Sequence, residues 1–453
     1  MALPDLVPLI DEGLGNSAYL LDLGDGRALA VDPSRDLRAT YGKAEARHLR
    51  IVYAAETHLH ADFISGARQL AADHDTQILA STAGKREFAH IGLVDADEID
   101  LGGLTLRALA TPGHTPEHLS YLILDGSNEV GVFTGGSLIV GAAARTDLVD
   151  SERTVEFAGA QYRSLRRLAG LPDATAVLPT HGAGSFCSAP PGAARVSTIG
   201  TEKSANALLA APDEDSFVAG LLASLGSYPA YFDRLAEVNR RGPDVLAAPP
   251  LLAQLNPAKV RALLTSGGYV VDVRPVADYA AEHIPGSVSI QLRAQYATWL
   301  GWLLPSDVPI VVVRNPDQDP ADILWPALNV GYTITGELAG GLGAWTAYGG
   351  DHASTRLVGP ATVDSSVVVD VRQSTEYTDG HLPGAELIEL GSLSEHAADV
   401  PAGSATVMCG HGERAATGAS LLERTGRSDV AILLGGGPEE WAAATGRALE
   451  TDR

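Results

Sequence analysis

Residues 251 to 448 carry one pattern twice, and this repetition constrains the fold more than any other feature of the 453-residue chain. Val270-Val271-Asp272-Val273-Arg274, then Tyr279, His283, Pro285 and Gly286, recur as Val368-Val369-Asp370-Val371-Arg372, then Tyr377, His381, Pro383 and Gly384. The offset is 98 residues from Asp272 to Asp370 and again from Gly286 to Gly384. Each copy runs from a short β-branched strand into a helical stretch, a His-x-Pro-Gly turn, then further strand and helix. That alternation predicts a parallel sheet with helices on both faces. A Gly-rich turn and a tryptophan close both copies: Gly340-Gly341-Leu342-Gly343-Ala344-Trp345, and Gly435-Gly436-Gly437 with Trp441. The Pro-rich stretch from Gly242 to Pro250 reads as a linker. The length suits about three domains at ~150 residues each, and the expected spans are 1–242, 251–352 and 358–453.

The copies differ where a nucleophile would sit. In the second, Ala405-Thr406-Val407-Met408 reads as a strand leading into Cys409-Gly410-His411-Gly412-Glu413-Arg414-Ala415, with a helix from about Ala415 to Leu422. Loop N–H groups and a helix N-terminus stabilise an anionic sulfur and lower the thiol pKa, and the thiolate is the reactive form. In the first copy the corresponding stretch is Val311-Val312-Val313-Arg314-Asn315-Pro316-Asp317, and no cysteine occurs between Ser188 and Met408. This copy is expected to be a structural or docking module. The repeat and the Cys-x-x-x-x-Arg spacing resemble the rhodanese (sulfurtransferase) domain, twice over. The resemblance implies doubly wound parallel-sheet domains in which Cys409 accepts a sulfane sulfur as a persulfide. Arg414 is then expected to position thiosulfate or sulfite, with Gly410, His411, Gly412 and Glu413 forming the substrate-binding loop.

The first half is organised around Thr57-His58-Leu59-His60-Ala61-Asp62-Phe63. Alternate residues of an extended chain face one side, so His58, His60 and Asp62 are expected to converge from a strand end. The apolar run from Ile51 to Ala55 predicts that strand, and Ser65 to Ala72 a helix. Thr111-Pro112-Gly113-His114-Thr115-Pro116-Glu117-His118 and Leu178-Pro179-Thr180-His181-Gly182 are two further histidine-bearing turns. Upstream, Leu6–Ile10, Ala18–Leu23 and Ala28–Val31 read as strands, with Gly24-Asp25-Gly26 as a hairpin turn. Residues 36 to 49 read as a surface helix and 202 to 240 as an interrupted helical region. The three histidine loops together resemble the metallo-β-lactamase superfamily, an αβ/βα sandwich with metal ligands on loops at one edge. Within it they are most similar to the persulfide dioxygenases, the iron branch that oxidises glutathione persulfide. The whole chain is thus expected to be a multidomain α/β and α+β protein of the persulfide dioxygenase–rhodanese fusion family.

Two positions depart from that pattern. Phe63 follows the Asp where dinuclear hydrolases of the superfamily have a His, and Gly136, in Thr134-Gly135-Gly136-Ser137, stands where relatives read T-G-D. A second metal would keep only Asp62 and His181, which disfavours a dinuclear hydrolase. His58, His60 and His114 supply three imidazoles for a first metal, compatible with zinc, or with iron and water. The resemblance implies one Fe(II) per chain held by His58 and His114 with an Asp at position 136. With that Asp absent, His60, Asp62 or Asp147 is left to compensate, or no metal binds. Cys187, six residues past His181, faces either the site or the core, and burial is the commoner fate of a free cysteine.

Three readings follow: an iron-dependent dioxygenase that converts a low-molecular-weight persulfide to sulfite, coupled to sulfur transfer through Cys409; a glyoxalase II-like zinc thioester hydrolase; and a sulfurtransferase whose first domain has lost its metal. The expected partners are small thiol persulfides, thiosulfate or sulfite, with a homo-oligomer compatible. A net charge of −24 argues against nucleic acid and anionic membrane as partners. No apolar run approaches ~20 residues, and Met1-Ala2-Leu3-Pro4-Asp5 lacks a signal-peptide pattern. Cys187 and Cys409 are the two cysteines, and their separation suits free thiols in a reduced, cytoplasmic setting.

Overall fold

The computed structural model describes residues 5–187, 192, 194–363 and 367–451. Two compact units divide the chain: residues 1–249 with 328–331, and residues 250–327 with 332–453.

The first unit begins with three antiparallel strands, β1 (Leu6–Asp11), β2 (Asn16–Asp22) and β3 (Arg27–Val31). Asp22 and Asp25 carboxylates accept the Gly24 and Arg27 amides and so close the expected turn between β2 and β3. β4 (Arg50–Glu56), β5 (Gln77–Ser81) and β6 (Ile91–Leu93) join in parallel, and the six strands pair in chain order. Parallel neighbours need crossovers, which the helices Arg38–Ala46 and Ala67–His74 supply. The second sheet contains β7 (Glu98–Asp100), β8 (Leu104–Ala110), β9 (Leu119–Asp125) and β10 (Asn128–Gly135). A small hairpin of β11 (Leu138–Ile139) and β12 (Ala142–Ala143) precedes β13 (Ala176–Pro179) and β14 (Ser197–Thr198). Its order is β14-β13-β10-β9-β8-β7.

Side chains alternate across a strand, and here both faces of each sheet are covered. Tyr19, Leu29 and Val31 of the first sheet meet Leu106, Tyr121 and Phe133 of the second in one core. Leu20, Ala30 and Ala54 pack outward on Leu70, and Leu122, Val132 and Val177 pack on Leu165 and Phe217. The architecture is the αβ/βα sandwich that the sequence predicts. The expected helical region after residue 200 is three helices, Ile199–Ala205, Glu214–Ala223 and Phe232–Arg241.

In the second unit, β15 (Gln254–Leu255), β16 (Tyr269–Asp272), β17 (Val288–Ser289), β18 (Ile310–Val313) and β19 (Gly336–Leu338) form a parallel sheet, ordered β15-β19-β18-β16-β17. β20 (Arg356–Val358), β21 (Val367–Asp370), β22 (Glu386–Leu387), β23 (Ala405–Met408) and β24 (Val430–Leu433) repeat that order as β20-β24-β23-β21-β22. The repeated residues build the scaffold. Arg274 forks onto the buried Asp272 carboxylate and donates to Glu282 O at 2.7 Å, and Arg372 does the same with Asp370 and Gly380 O at 2.8 Å. His283 stacks on Tyr279 with centroids 4.0 Å apart, and His381 on Tyr377 at 3.7 Å. Among the described residues, no helix is long and apolar enough to cross a membrane.

One glycine sets the entrance of the first sheet. Gly15, between β1 and β2, has φ +72, and a Cβ there would overlap the Ser185 amide. Its carbonyl accepts the Gly182 N–H at 2.9 Å, which draws the loop after β13 across the strand ends. Gly15→Ala is expected to cost about 1–3 kcal/mol through left-handed strain, with the clash added, read as a lower urea midpoint at unchanged slope.

Candidate metal centre and sulfur-transfer site

β4, β8, β10 and β13 end at one edge, and the loops after them carry His58, His114, Gly136 and His181. The H-x-H loop is held from several sides. Arg86 donates to Glu56 at 3.0 Å and to His58 O at 3.1 Å, and Glu117 accepts the Leu59 amide at 2.8 Å. Asn239, on the helix Phe232–Arg241, donates to His60 O and Phe63 O and accepts the Ser65 amide. Beneath the loop lies Asp32, fully buried and in the left-handed region at φ 48. Its carboxylate accepts the Thr57 amide at 2.8 Å, the Thr57 hydroxyl at 2.7 Å and the Thr180 hydroxyl. Burial alone would raise the Asp32 carboxyl, but His60 and these donors hold it below the ordinary range.

The hydrogen bonds assign the imidazole tautomers. Thr57 gives its one hydroxyl proton to Asp32, so at 2.9 Å it accepts Nδ1–H of His58. A carbonyl only accepts, so His114 donates Nδ1–H to Arg145 O at 2.7 Å. His181 donates Nδ1–H to Asn16 Oδ1 at 3.1 Å and faces Asp62 Oδ2 at 3.3 Å. Each ring thus keeps Nε2 for the centre of the pocket. The ligand nitrogens of His58, His114 and His181 lie within 4.8 Å of one another, and all three residues are at most 1% exposed. Burial and the surrounding rings push His58 well below the ordinary imidazole range and His114 to about 3. For His181 burial acts downward, but Cys187 and Asp62 outweigh it and raise the ring well above. His181 Nε2 lies 3.4 Å from His58 Nε2. Two nitrogen lone pairs at that distance repel unless a cation stands between them, either a proton on His181 or a metal ion. The donor set therefore fits a divalent metal with imidazole ligands, and the oriented Nδ1 partners are those a metal-binding histidine needs.

The other candidate residues are distributed as follows. His60 turns to Asp32, with Nε2 3.1 Å from Oδ1, and stacks on Phe63 at 4.2 Å. It therefore groups with Asp32 and His58, and His181 takes its place beside His114. Asp62 Oδ2 accepts from Asn16 at 2.8 Å. Burial opposes ionisation of Asp62, but His181 prevails and the carboxyl sits at about 2. His118 spends both nitrogens: Nε2 accepts the Gly136 amide at 3.0 Å and Nδ1 faces Thr111 Oγ1 at 2.9 Å. Asp147 pairs with the Arg145 guanidinium at 2.7 Å. A Cβ on Gly136 would overlap the His114 ring, so a side chain at 136 would point at the pocket. Sequence reasoning passed over Thr57, Asp32, Asn16 and Arg145. Their only signal was adjacency to a ligand or a strand end.

In the second unit Cys409 directly follows β23 and is 1% exposed, and its Sγ accepts the Gly412 N–H at 3.1 Å. Gly412 reaches that orientation at φ +127, where a Cβ would press on Leu434. The helix Glu413–Arg424 starts immediately after it. His411 is exposed, and Gly410 and Glu413 are half-buried. Arg414, expected to meet an anion, is gripped by Glu376 at 2.6 and 2.8 Å. Burial would raise Glu376, but Arg414 holds it below its ordinary value.

Fold and pockets together define a metallo-β-lactamase-type sandwich followed by two rhodanese-like folds. The metallo-beta-lactamase superfamily model matches residues 11–181, and the rhodanese-like domain model matches 256–348 and 357–444. The chain is a metallo-beta-lactamase superfamily protein carrying two rhodanese-like domains. A probable metallo-hydrolase of Burkholderia pseudomallei is 29% identical over 36% of this chain and 67% of its own length. The hydroxyacylglutathione hydrolase of Acidiphilium cryptum is 35% identical over 28% of this chain and 50% of its own. The human mitochondrial persulfide dioxygenase ETHE1 is 30% identical over 35% of this chain and 56% of its own. The chain thus spans about half to two thirds of the length of these curated relatives. A metallo-beta-lactamase crystal structure from Staphylococcus aureus superposes with a TM-score of 0.65 at 27% identity, covering 74% of this chain and 98% of that one.

Thr57→Val removes the acceptor for His58 Nδ1–H and is expected to weaken binding of a divalent metal about 10- to 100-fold, measured by competition with a chromogenic chelator. The Arg414–Glu376 pair carries a pH signature. The folded Glu376 value lies below the ordinary 4.5, so its stabilisation is present above about pH 4.5 and is lost as pH falls through the lowered value. The stability gap between wild type and Glu376→Gln is expected to shrink below pH 4.5 in acid-range denaturation curves.

Proposed function

We propose that the chain oxidises a low-molecular-weight persulfide, of the glutathione persulfide kind, to sulfite at a single iron, and moves sulfane sulfur through Cys409. The supporting observation is the pairing in one chain of a buried three-imidazole pocket with a thiol cradled by a backbone N–H at 3.1 Å. His58, His114 and His181 would hold the iron, which would supply redox chemistry with O₂. The balance is RSSH + O₂ + H₂O → RSH + SO₃²⁻ + 2H⁺, with four electrons passing from the sulfane sulfur to O₂. The chain's own part is to hold three Nε2 atoms inward, with Thr57, Arg145 and Asn16 fixing the rings. Gly136 offers no carboxylate to bridge two ions, which counts against a dinuclear thioester hydrolase.

At Cys409 the thiolate attacks the outer sulfur of thiosulfate or a persulfide. The Sγ–S bond forms as the donor S–S bond breaks, and sulfite or a thiolate leaves with the electron pair. A second thiolate or sulfite then takes that sulfur and restores Cys409. The Gly412 amide and the helix behind it stabilise the anionic sulfur at both stages.

The test is metal content, sulfite formation and sulfur transfer on the purified chain. Wild type is expected to hold about one iron per chain, lost in His58→Ala together with persulfide-dependent O₂ uptake. Cys409→Ser is expected to lower thiosulfate-to-thiol transfer at least about 10³-fold, as for removal of a covalent nucleophile. An iron-loaded chain that consumes no O₂ with persulfide would leave Cys409 as the only centre.

A further inference from the structure

We propose that Arg293, from the first rhodanese-like copy, is the guanidinium that receives a sulfur oxyanion, thiosulfate or sulfite, at Cys409 of the second. The proposal rests on the reading of Cys409 as a sulfur-transfer nucleophile and gives that site its anion receptor.

The two copies meet along the helix that follows the Cys409 loop. That helix, Glu413–Arg424, packs against β17, the edge strand of the first copy's sheet. The Ser289 amide donates to Ser420 Oγ at 3.1 Å. Glu423 accepts the Thr355 hydroxyl at 2.6 Å and the Tyr279 hydroxyl at 3.3 Å, and lies 3.5 Å from His283 Nε2. The Tyr–His stack of the cysteine-free copy is thus bonded to the helix that begins beside the sulfur. Beyond β17 the chain stays in register. The Ile290 amide donates to Asp272 O at 3.0 Å and the Leu292 amide to Val273 O at 2.9 Å. Arg293 comes next, and Glu413, Arg414 and Cys409 all lie within reach of its charge. Burial lowers the Arg293 guanidinium and Arg414 acts the same way, against Glu413 and Cys409.

Two observations point to an anion there. Arg293 is half-buried, its Nη1 donates to the neutral Gln295 Oε1 at 2.7 Å, and no carboxylate pairs with it among the described residues. Such a group has lost hydration without gaining a counter-charge, and an oxyanion supplies that charge and accepts two N–H groups of the fork. The second copy, in turn, has its loop arginine neutralised, since Glu376 holds Arg414 at 2.6 and 2.8 Å. Its own counterpart of Arg293, 98 residues on, is Gly391. A Cβ at Gly391 would overlap the Trp302 indole of the first copy. The cation that the sulfur site needs therefore comes from the neighbouring copy.

In the transfer step the Cys409 thiolate bonds to the outer sulfur of S–SO₃²⁻, the S–S bond breaks, and sulfite leaves with the electron pair. A fixed guanidinium offsets the repulsion between thiolate and dianion. It also holds the sulfonate oxygens while charge gathers on the departing sulfite.

The test combines thiosulfate-to-thiol transfer by the full-length chain with alkylation of Cys409, followed on its own peptide by mass spectrometry. Arg293→Gln is expected to raise the KM for thiosulfate about 10- to 100-fold, the worth of a charge-assisted hydrogen bond, with a smaller change in kcat. The rate ratio of anionic iodoacetate to neutral iodoacetamide at Cys409 is expected to fall about fivefold or more in the same variant, which loss of a merely structural contact would not produce. Should Arg293→Gln fail to fold by circular dichroism, Arg293→Lys carries the test. It is expected to keep the reagent ratio and raise the thiosulfate KM about threefold or more, because an ammonium replaces a planar fork. An unchanged KM in either variant, or an unchanged ratio in Arg293→Gln, overturns the proposal alone. A wild-type chain that transfers no sulfur, or a Cys409→Ser chain that still does, overturns the reading of Cys409 and the proposal with it.

Discussion

The carboxylate of Asp32 is the interaction on which the first unit's site depends. It lies at the end of β3, with no access to water, and takes donors from two other strand-end loops: Thr57 after β4 and Thr180 after β13. Hydrogen bonds to a buried charge contribute about 1.5–3 kcal/mol each, and each here also fixes a neighbour. Thr57, having given its proton to Asp32, orients His58, and Thr180 precedes His181. His60 completes the shell at 3.1 Å. A backbone at φ 48 for a non-glycine residue is strained, and the surrounding bonds hold it there.

Burying five imidazoles together follows from that anchor. His58, His60, His114, His118 and His181 are each at most 1% exposed, and such a cluster is tolerable only when most rings stay neutral. His58, His114 and His181 are assigned their tautomers by Thr57, the Arg145 carbonyl and Asn16, while His60 turns to Asp32 and His118 Nε2 accepts the Gly136 amide. Three Nε2 atoms are left facing one another, which is the condition that makes a cation welcome.

The second unit divides scaffold from chemistry. Both copies keep the Asp–Arg clamp and the Tyr–His stack, and both build the same sheet order. The cradle at a strand end carries sulfur in one copy alone, because Cys409 and Gly412 occur there together. The bidentate grip of Glu376 on Arg414 gives this loop a rigid side wall and changes what Arg414 has left to offer an anion.

Much of this was legible in the linear chain. The constant offset, the alternating β-branched strands and helices, and the three histidine turns determined the layers, the repeat and the neighbourhood of both sites, because periodicity and turn chemistry are local properties. The setting of Cys409 was legible for the same reason: thiol, glycine and helix start lie within six residues. The tertiary structure alone decided that His60 faces Asp32, that His181 joins His58 and His114, that Arg414 is held by Glu376, and that Cys187 lies against Asp62 and His181. Each of these depends on which side chains from distant loops meet at a sheet edge, and on the need of every buried polar atom there for a partner. Such long-range complementarity leaves no period in the sequence.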